Sequence, residues 1–330
     1  MTFKILSCDG GGIRGLITAL LIQDLDTRSQ IISKADGFAG TSTGGLLALA
    51  LANGVPIAQI VNMYMTQGAE IFEENSWWSA QKDTLAEGVS TLAGPGILVC
   101  QYVSTGLEKI ANQLLGSQKL SSVQRFVAVN SARLWNPDVK SWEPSTLSNG
   151  KSNAYRDVSL VDAALATSAA PTYFPPHEIA GLGYFADGGV FANNPTVVGV
   201  AEALANGLVS DLGSLRVLSL GTGTSPVGLT QNAIDDPLKW GASRWLWPMQ
   251  SNGVPAEALL GLTMDSTALL ATRQAEQILG GGYTRGNFVL SQPIALDDYK
   301  QVGLLESETN AYMKTAQWQA VCQWVERNWS

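Results

Sequence analysis

The chain has 330 residues, 45% of them hydrophobic and only 15% charged, which supplies apolar material for a large core and excludes general disorder. Lys and Arg number 20 against 28 Asp and Glu, a formal charge of −8, so the basic footprint of a nucleic-acid binder is absent. Three scattered cysteines with no CxxC pair, and one histidine, argue against a disulfide framework and a structural zinc site.

The N-terminus has no signal-peptide apolar run. The most apolar stretches, 15–22 and 44–52, are under half of the ~20 residues that cross a bilayer. A cytoplasmic protein without a transmembrane helix is expected. Phe3 to Cys8 reads as a buried strand, and apolar residues at helical spacing follow over 15–29. A second unit comes at once: a strand over 35–39, a tight turn over 40–44, and a helix over 45–53 closed by Gly54 and Pro56. Further strands are predicted over 125–131, 183–186, 215–220 and 287–290, with helices over 159–168, 195–206, 256–279 and 305–327. Alternating strands and helices predict an α/β fold, a mostly parallel central sheet with helices on both faces in three layers. One domain over 1–330 is expected, with its motifs within 9–223 and a helical C-terminal part over 224–330. The weakly patterned stretches 75–120 and 224–255 read as insertions or lids.

The first loop, Asp9-Gly10-Gly11-Gly12-Ile13-Arg14-Gly15, contains G-x-G-x-x-G, which after a strand suggests a dinucleotide site. That reading needs an acidic residue at the end of the next strand, where this chain has Gly40-Thr41-Ser42-Thr43-Gly44 instead. The latter is G-x-S-x-G, the sharp strand-to-helix turn that presents a serine at a helix N-terminus. Ser42 is thus a candidate nucleophile, or with Thr43 a helix cap. Bare N–H groups of Gly10, Gly11 and Gly12 are candidates to hold an oxyanion beside it. Arg14 could assist the oxyanion, hold a substrate phosphate, or tether the loop. Two residues compete as base. His177 sits in Pro175-Pro176-His177-Glu178, a rigid turn better suited to a surface position; Asp187 ends an apolar strand and precedes Gly188 and Gly189.

Together these segments resemble the patatin-like phospholipase family. Supporting pieces are the run from Ser168 to Pro176, then Asn193-Asn194-Pro195, then Leu220-Gly221-Thr222-Gly223. The resemblance implies a Ser–Asp dyad of Ser42 and Asp187, an oxyanion hole of Gly10, Gly11 and Gly12 assisted by Arg14, and motif glycines Gly15, Gly40, Gly44, Gly188 and Gly189. It implies hydrolysis of fatty-acyl esters of membrane glycerolipids, without calcium or another cofactor. The ten tryptophans, with clusters at Trp77 and Trp78 and at Trp240, Trp245 and Trp247, fit peripheral membrane contact or packing under loops. Alternatives on the same fold are a regulator-activated effector, a storage or binding protein, and an acyltransferase.

Overall fold

The computed structural model describes residues 2–79, 99–234, 236–247, 249–251 and 253–329. Part of the stretch 75–120 read as a first insertion, 80–98, lies outside them. The strands are β1 Phe3–Cys8, β2 Gly37–Thr41, β3 Phe126–Asn136, β4 Ser141–Ser148, β5 His177–Ile179, β6 Gly183–Asp187, β7 Leu215–Leu220 and β8 Tyr283–Gly286. The longer helices are α1 Gly15–Ser29, α2 Thr43–Ala52, α3 Ile57–Thr66, α4 Thr105–Leu115, α5 Leu160–Ser168, α6 Thr196–Ala205, α7 Ala258–Leu279, α8 Val302–Tyr312 and α9 Ala316–Asn328.

The strands form one mixed sheet. β1 lies between β2 and β7, with β3 beyond β2 and β8 beyond β7, all of these pairs parallel. β4 and β6 both join β3 antiparallel, and β5 pairs antiparallel with β6. Alternate residues serve two cores, as the pleat requires. Leu6, Cys8, Phe38, Leu218 and Leu220 face the larger core with α1, α2, α4 and α5. Ile5, Ala39 and Val217 face the smaller one with Val200 and Ala203 of α6 and Ala275 of α7. The expected α/β sheet with helices on both faces is what the chain forms.

The packing on β3 positions the site. β4 occupies one edge of β3 continuously from Ala128 to Arg133, so β2 and β6 must share the other edge. β2 ends there at Thr41 opposite Asn130, and β6, running the other way, ends at Asp187 opposite Ser131. The two strand ends therefore meet head to head at consecutive positions of β3.

Several expected boundaries move. The strand predicted over 287–290 is formed by 283–286 instead, and only a single bridge from Thr224 to Val289 extends it. The helix predicted over 305–327 is two helices, because Thr315 accepts the N–H of Trp318 and starts a new N-terminus. β4 carries Pro144, opposite Ala132, a residue that hides a strand from pattern reading. The tryptophan clusters divide: Trp78 is buried and Trp240 and Trp245 stack edge-on at 5.1 Å, whereas Trp77 is exposed.

Candidate active site

Ser42 stands between β2 and α2 with φ 56° and ψ −128°, a conformation seldom held by a residue with a side chain. Close approach forces the flanking glycines: a Cβ on Gly44 would lie 2.1 Å from the Cys8 carbonyl oxygen, and one on Gly40 would lie 2.2 Å from that of Gly44. The Ser42 N–H donates to Thr167 Oγ1 at 2.9 Å, and Thr167 in turn donates to the Asn130 carbonyl at 2.5 Å. α2 is buried on every side, so its N-terminus is fixed behind Ser42.

Asp187 is buried, and its Oδ1 accepts the Gly189 N–H at 2.7 Å. Its Oδ2 has no hydrogen-bond partner among the described residues. Burial pushes the carboxyl up to about 7, and the nearby Ser42 hydroxyl and the Gly189 N–H pull against that rise. The Ser42 and Asp187 side chains are close enough to influence each other, yet their contact does not have hydrogen-bond geometry. Both line one pocket whose remaining wall is mostly apolar, including Ile13, Leu46, Ile71, Phe72, Leu107 and Phe174. Its volume is about 570 Å3 including the open mouth.

The glycine loop sits against Ser42; a Cβ on Gly10 would come within 3.1 Å of the Ser42 Cβ. The Gly10 N–H is already given to the Asn193 carbonyl at 3.0 Å, so the expectation that Gly10 donates to an oxyanion is corrected. The N–H groups of Gly11 and Gly12 have no acceptor among the described residues. Their directions are set from behind. Thr222 Oγ1 donates to the Gly10 carbonyl at 2.9 Å and Asn193 Nδ2 does so at 3.4 Å, which turns the Gly11 N–H to the opposite side of that trans peptide. The Arg14 N–H and Nε hold the Gly11 carbonyl at 3.2 and 3.4 Å, which orients the Gly12 N–H in the same way. Gly12, at φ 58°, lines the pocket with Ser42, whereas Arg14 does not. Burial lowers the Arg14 pKa, and the Asp265 carboxylate opposes that shift.

Gly15 packs against Thr43 and Tyr64, whose hydroxyls are hydrogen-bonded, and Gly188 packs against the Asn130 carbonyl. Asp9 forms a two-pronged ion pair with Arg285, Nη2 to Oδ2 at 2.5 Å and Nη1 to Oδ1 at 3.2 Å. His177 bonds Asp162 through Nε2 at 3.0 Å on the outer strand β5 and does not line the Ser42 pocket. Asn193 and Thr222 belong to sequence segments already singled out, although their task of holding the loop was not legible there. Thr167 and Arg285 gave no sequence signal.

A serine and a carboxylate thus stand at strand ends beside a glycine loop, in one mostly apolar pocket. The model of the patatin-like phospholipase family matches residues 6–199, and the chain belongs to that family. "Patatin-like protein 2" of Arabidopsis thaliana is 33% identical over 278 residues, 73% of this chain and 65% of that one. A "cGAMP-activated phospholipase" of Vibrio cholerae is 32% identical over 235 residues, 66% of this chain and 64% of that one. A protein of the same description from Escherichia coli is 30% identical over 261 residues, 74% and 69% of the two chains. The chain thus spans slightly under two thirds of the first two relatives. Among the described residues no helix is long and apolar enough to cross a membrane.

Proposed function

We propose that this protein is a lipid acyl hydrolase of the phospholipase A or lysophospholipase type, acting on fatty-acyl esters of membrane glycerolipids with Ser42 as nucleophile and Asp187 as base. The observation that carries the reading is that β2 and β6 end at consecutive register positions of β3, Thr41 opposite Asn130 and Asp187 opposite Ser131, which brings Ser42, next after Thr41, and Asp187 into one mostly apolar pocket. Family membership supports the lipid ester. The unpartnered Asp187 Oδ2 is the acceptor for the Ser42 proton; catalytic contacts of this kind are often long before substrate binds. Ser42 Oγ adds to the ester carbonyl as its proton passes to Asp187. The N–H groups of Gly11 and Gly12 take the negative charge on the carbonyl oxygen. Asp187 returns the proton to the departing lysolipid oxygen. Water, deprotonated by Asp187, then adds to the acyl-serine carbonyl, the bond to Ser42 Oγ breaks as Asp187 returns the proton to that oxygen, and the fatty acid is freed.

The whole chain acts as one catalytic unit in the cytoplasm, reaching its substrate at a membrane surface. A regulated form of the same enzyme is a second reading, supported by the bacterial relatives named as cGAMP-activated. Under it, wild type is silent on lipid until a cyclic dinucleotide is added. An acyltransferase differs only in the alcohol that accepts the acyl group, and added glycerol separates the two.

The test is covalent labelling with a fluorophosphonate. Wild type should gain the label on Ser42, Asp187→Asn should label at least ~100-fold more slowly, and His177→Ala should label as wild type does. Loss of labelling in His177→Ala comparable to Ser42→Ala would overturn the histidine-free mechanism.

A further inference from the structure

Three exposed apolar side chains sit on the β3–β4 hairpin, which continues β3 past the position of Asp187. Trp135 is 58% exposed, Val139 59% and Trp142 77%. Past Ser131, the residue opposite Asp187, β3 runs on to Trp135, about 13 Å further at strand rise. The hairpin therefore projects beyond the level at which Ser42 and Asp187 meet. Its tip is held in shape: Asn136 Nδ2 donates to Glu143 Oε2 at 2.7 Å, and Asn136 Oδ1 accepts the Asp138 N–H at 2.9 Å. Beside it lies an apolar groove lined by Trp135, Pro137, Pro175, Pro176, Leu182 and Tyr184. The groove is continuous in chain with the catalytic pocket, because Tyr173 and Phe174 line the pocket and the next two residues line the groove.

We propose that the β3–β4 hairpin is the interfacial docking element, with Trp135, Val139 and Trp142 entering the headgroup boundary of an electrically neutral, zwitterionic bilayer. The inference rests on the lipid-hydrolase reading and names the surface through which that site meets its substrate. Charge decides the kind of bilayer. Between 133 and 143 the hairpin carries Arg133 and Lys140 against Asp138 and Glu143, no net charge, on a chain of −8. Such a molecule gains nothing from an anionic surface and must bind by apolar insertion. Tryptophan suits that boundary, since its ring is apolar and its N–H meets the wet headgroups. A loop that inserts there would seat the pocket beside it on the bilayer.

The experiment is co-sedimentation of the full chain with phosphatidylcholine vesicles and with phosphatidylglycerol vesicles, at about 0.1 and 1 M salt. Wild type should partition into phosphatidylcholine equally at both salts. Trp135→Ser/Trp142→Ser and, separately, Val139→Asp should bind at least ~10-fold more weakly. All three substitutions are at exposed positions, and far-ultraviolet circular dichroism and thermal midpoint check that the fold is kept. Trp135→Leu/Trp142→Leu should restore much of the binding. Equal partition of wild type and the serine pair would overturn the proposal, as would salt-sensitive binding to phosphatidylglycerol alone. A wild-type dimer that the serine pair converts to a monomer, with no vesicle binding by either, would assign the hairpin to self-association and overturn it too. Hydrolysis of a monomeric short-chain ester is read on the same samples and should be equal in all. Its absence from wild type both without and with an added cyclic dinucleotide would remove the hydrolase reading, while vesicle partition still decides the docking surface.

Discussion

Ser42 holds a backbone conformation that glycine adopts at less cost, and the surrounding contacts, from Thr167 behind it to Gly44 against β1, keep it there. Ser42→Gly should therefore gain on the order of 1 kcal/mol of stability in chemical denaturation while abolishing ester hydrolysis. Asp187 embodies the same exchange of stability for chemistry. Its unfolded carboxyl titrates near 3.8 and its folded one near 7, so between these values the folded state holds the extra proton. Stability consequently falls as the pH rises across that window, and Asp187→Asn should be more stable than wild type above pH 7 and little different below pH 4. Activity should run the opposite way. A base must be ionised, so kcat/KM should climb through about pH 7 and level off above it. A profile already flat at pH 5 would take the base role from Asp187.

In the proposed mechanism the glycine loop is the element that stabilises the transition state. It is shaped by its own Asp9 and Arg14 together with groups behind it. Thr222 and Asn193 hold the Gly10 carbonyl, Arg14 holds the Gly11 carbonyl, and the Asp9–Arg285 pair anchors the end of β1. Thr222→Val keeps the volume and removes the donor; it should lower kcat by ~10-fold with little change in KM, less than the loss of an oxyanion donor itself. Arg285→Met strands a buried carboxylate and should cost about 3–5 kcal/mol in chemical denaturation. Burial works against the Arg285 charge, and Asp9 overrides it, which is why the pair tolerates the interior. The loop glycines and Ser42 were legible because a sharp turn admits few residue types. Arg285 was not, since nothing local marks an arginine whose partner is 276 residues away. β4 stayed hidden because Ser141–Ser148 reads as polar with a proline, and its pairing to β3 is fixed by tertiary register.

At the scale of the molecule, one sheet edge does the organising: β2 brings its C-terminal end and β6 brings its own, from opposite directions, to neighbouring positions on β3. The alternation of strands and helices revealed the sheet and its two faces. It could not reveal that two strands share an edge end to end, which is why Asp187 was found by its strand-end glycines rather than by proximity to Ser42. The tryptophans show the same limit. Sequence clustering pointed to Trp77 and Trp78, of which Trp77 is exposed, and to Trp240, Trp245 and Trp247, whereas the exposed Trp135 and Trp142 on the projecting hairpin are isolated in sequence and brought together by the β3–β4 register. The most direct measurement is fatty-acid release from mixed phospholipid and galactolipid vesicles without added metal, for wild type, Ser42→Ala and Asp187→Asn, each checked for folding. Release by wild type that falls by ~10³-fold or more in both variants is the predicted result. Release that survives in either folded variant would contradict the Ser42–Asp187 mechanism.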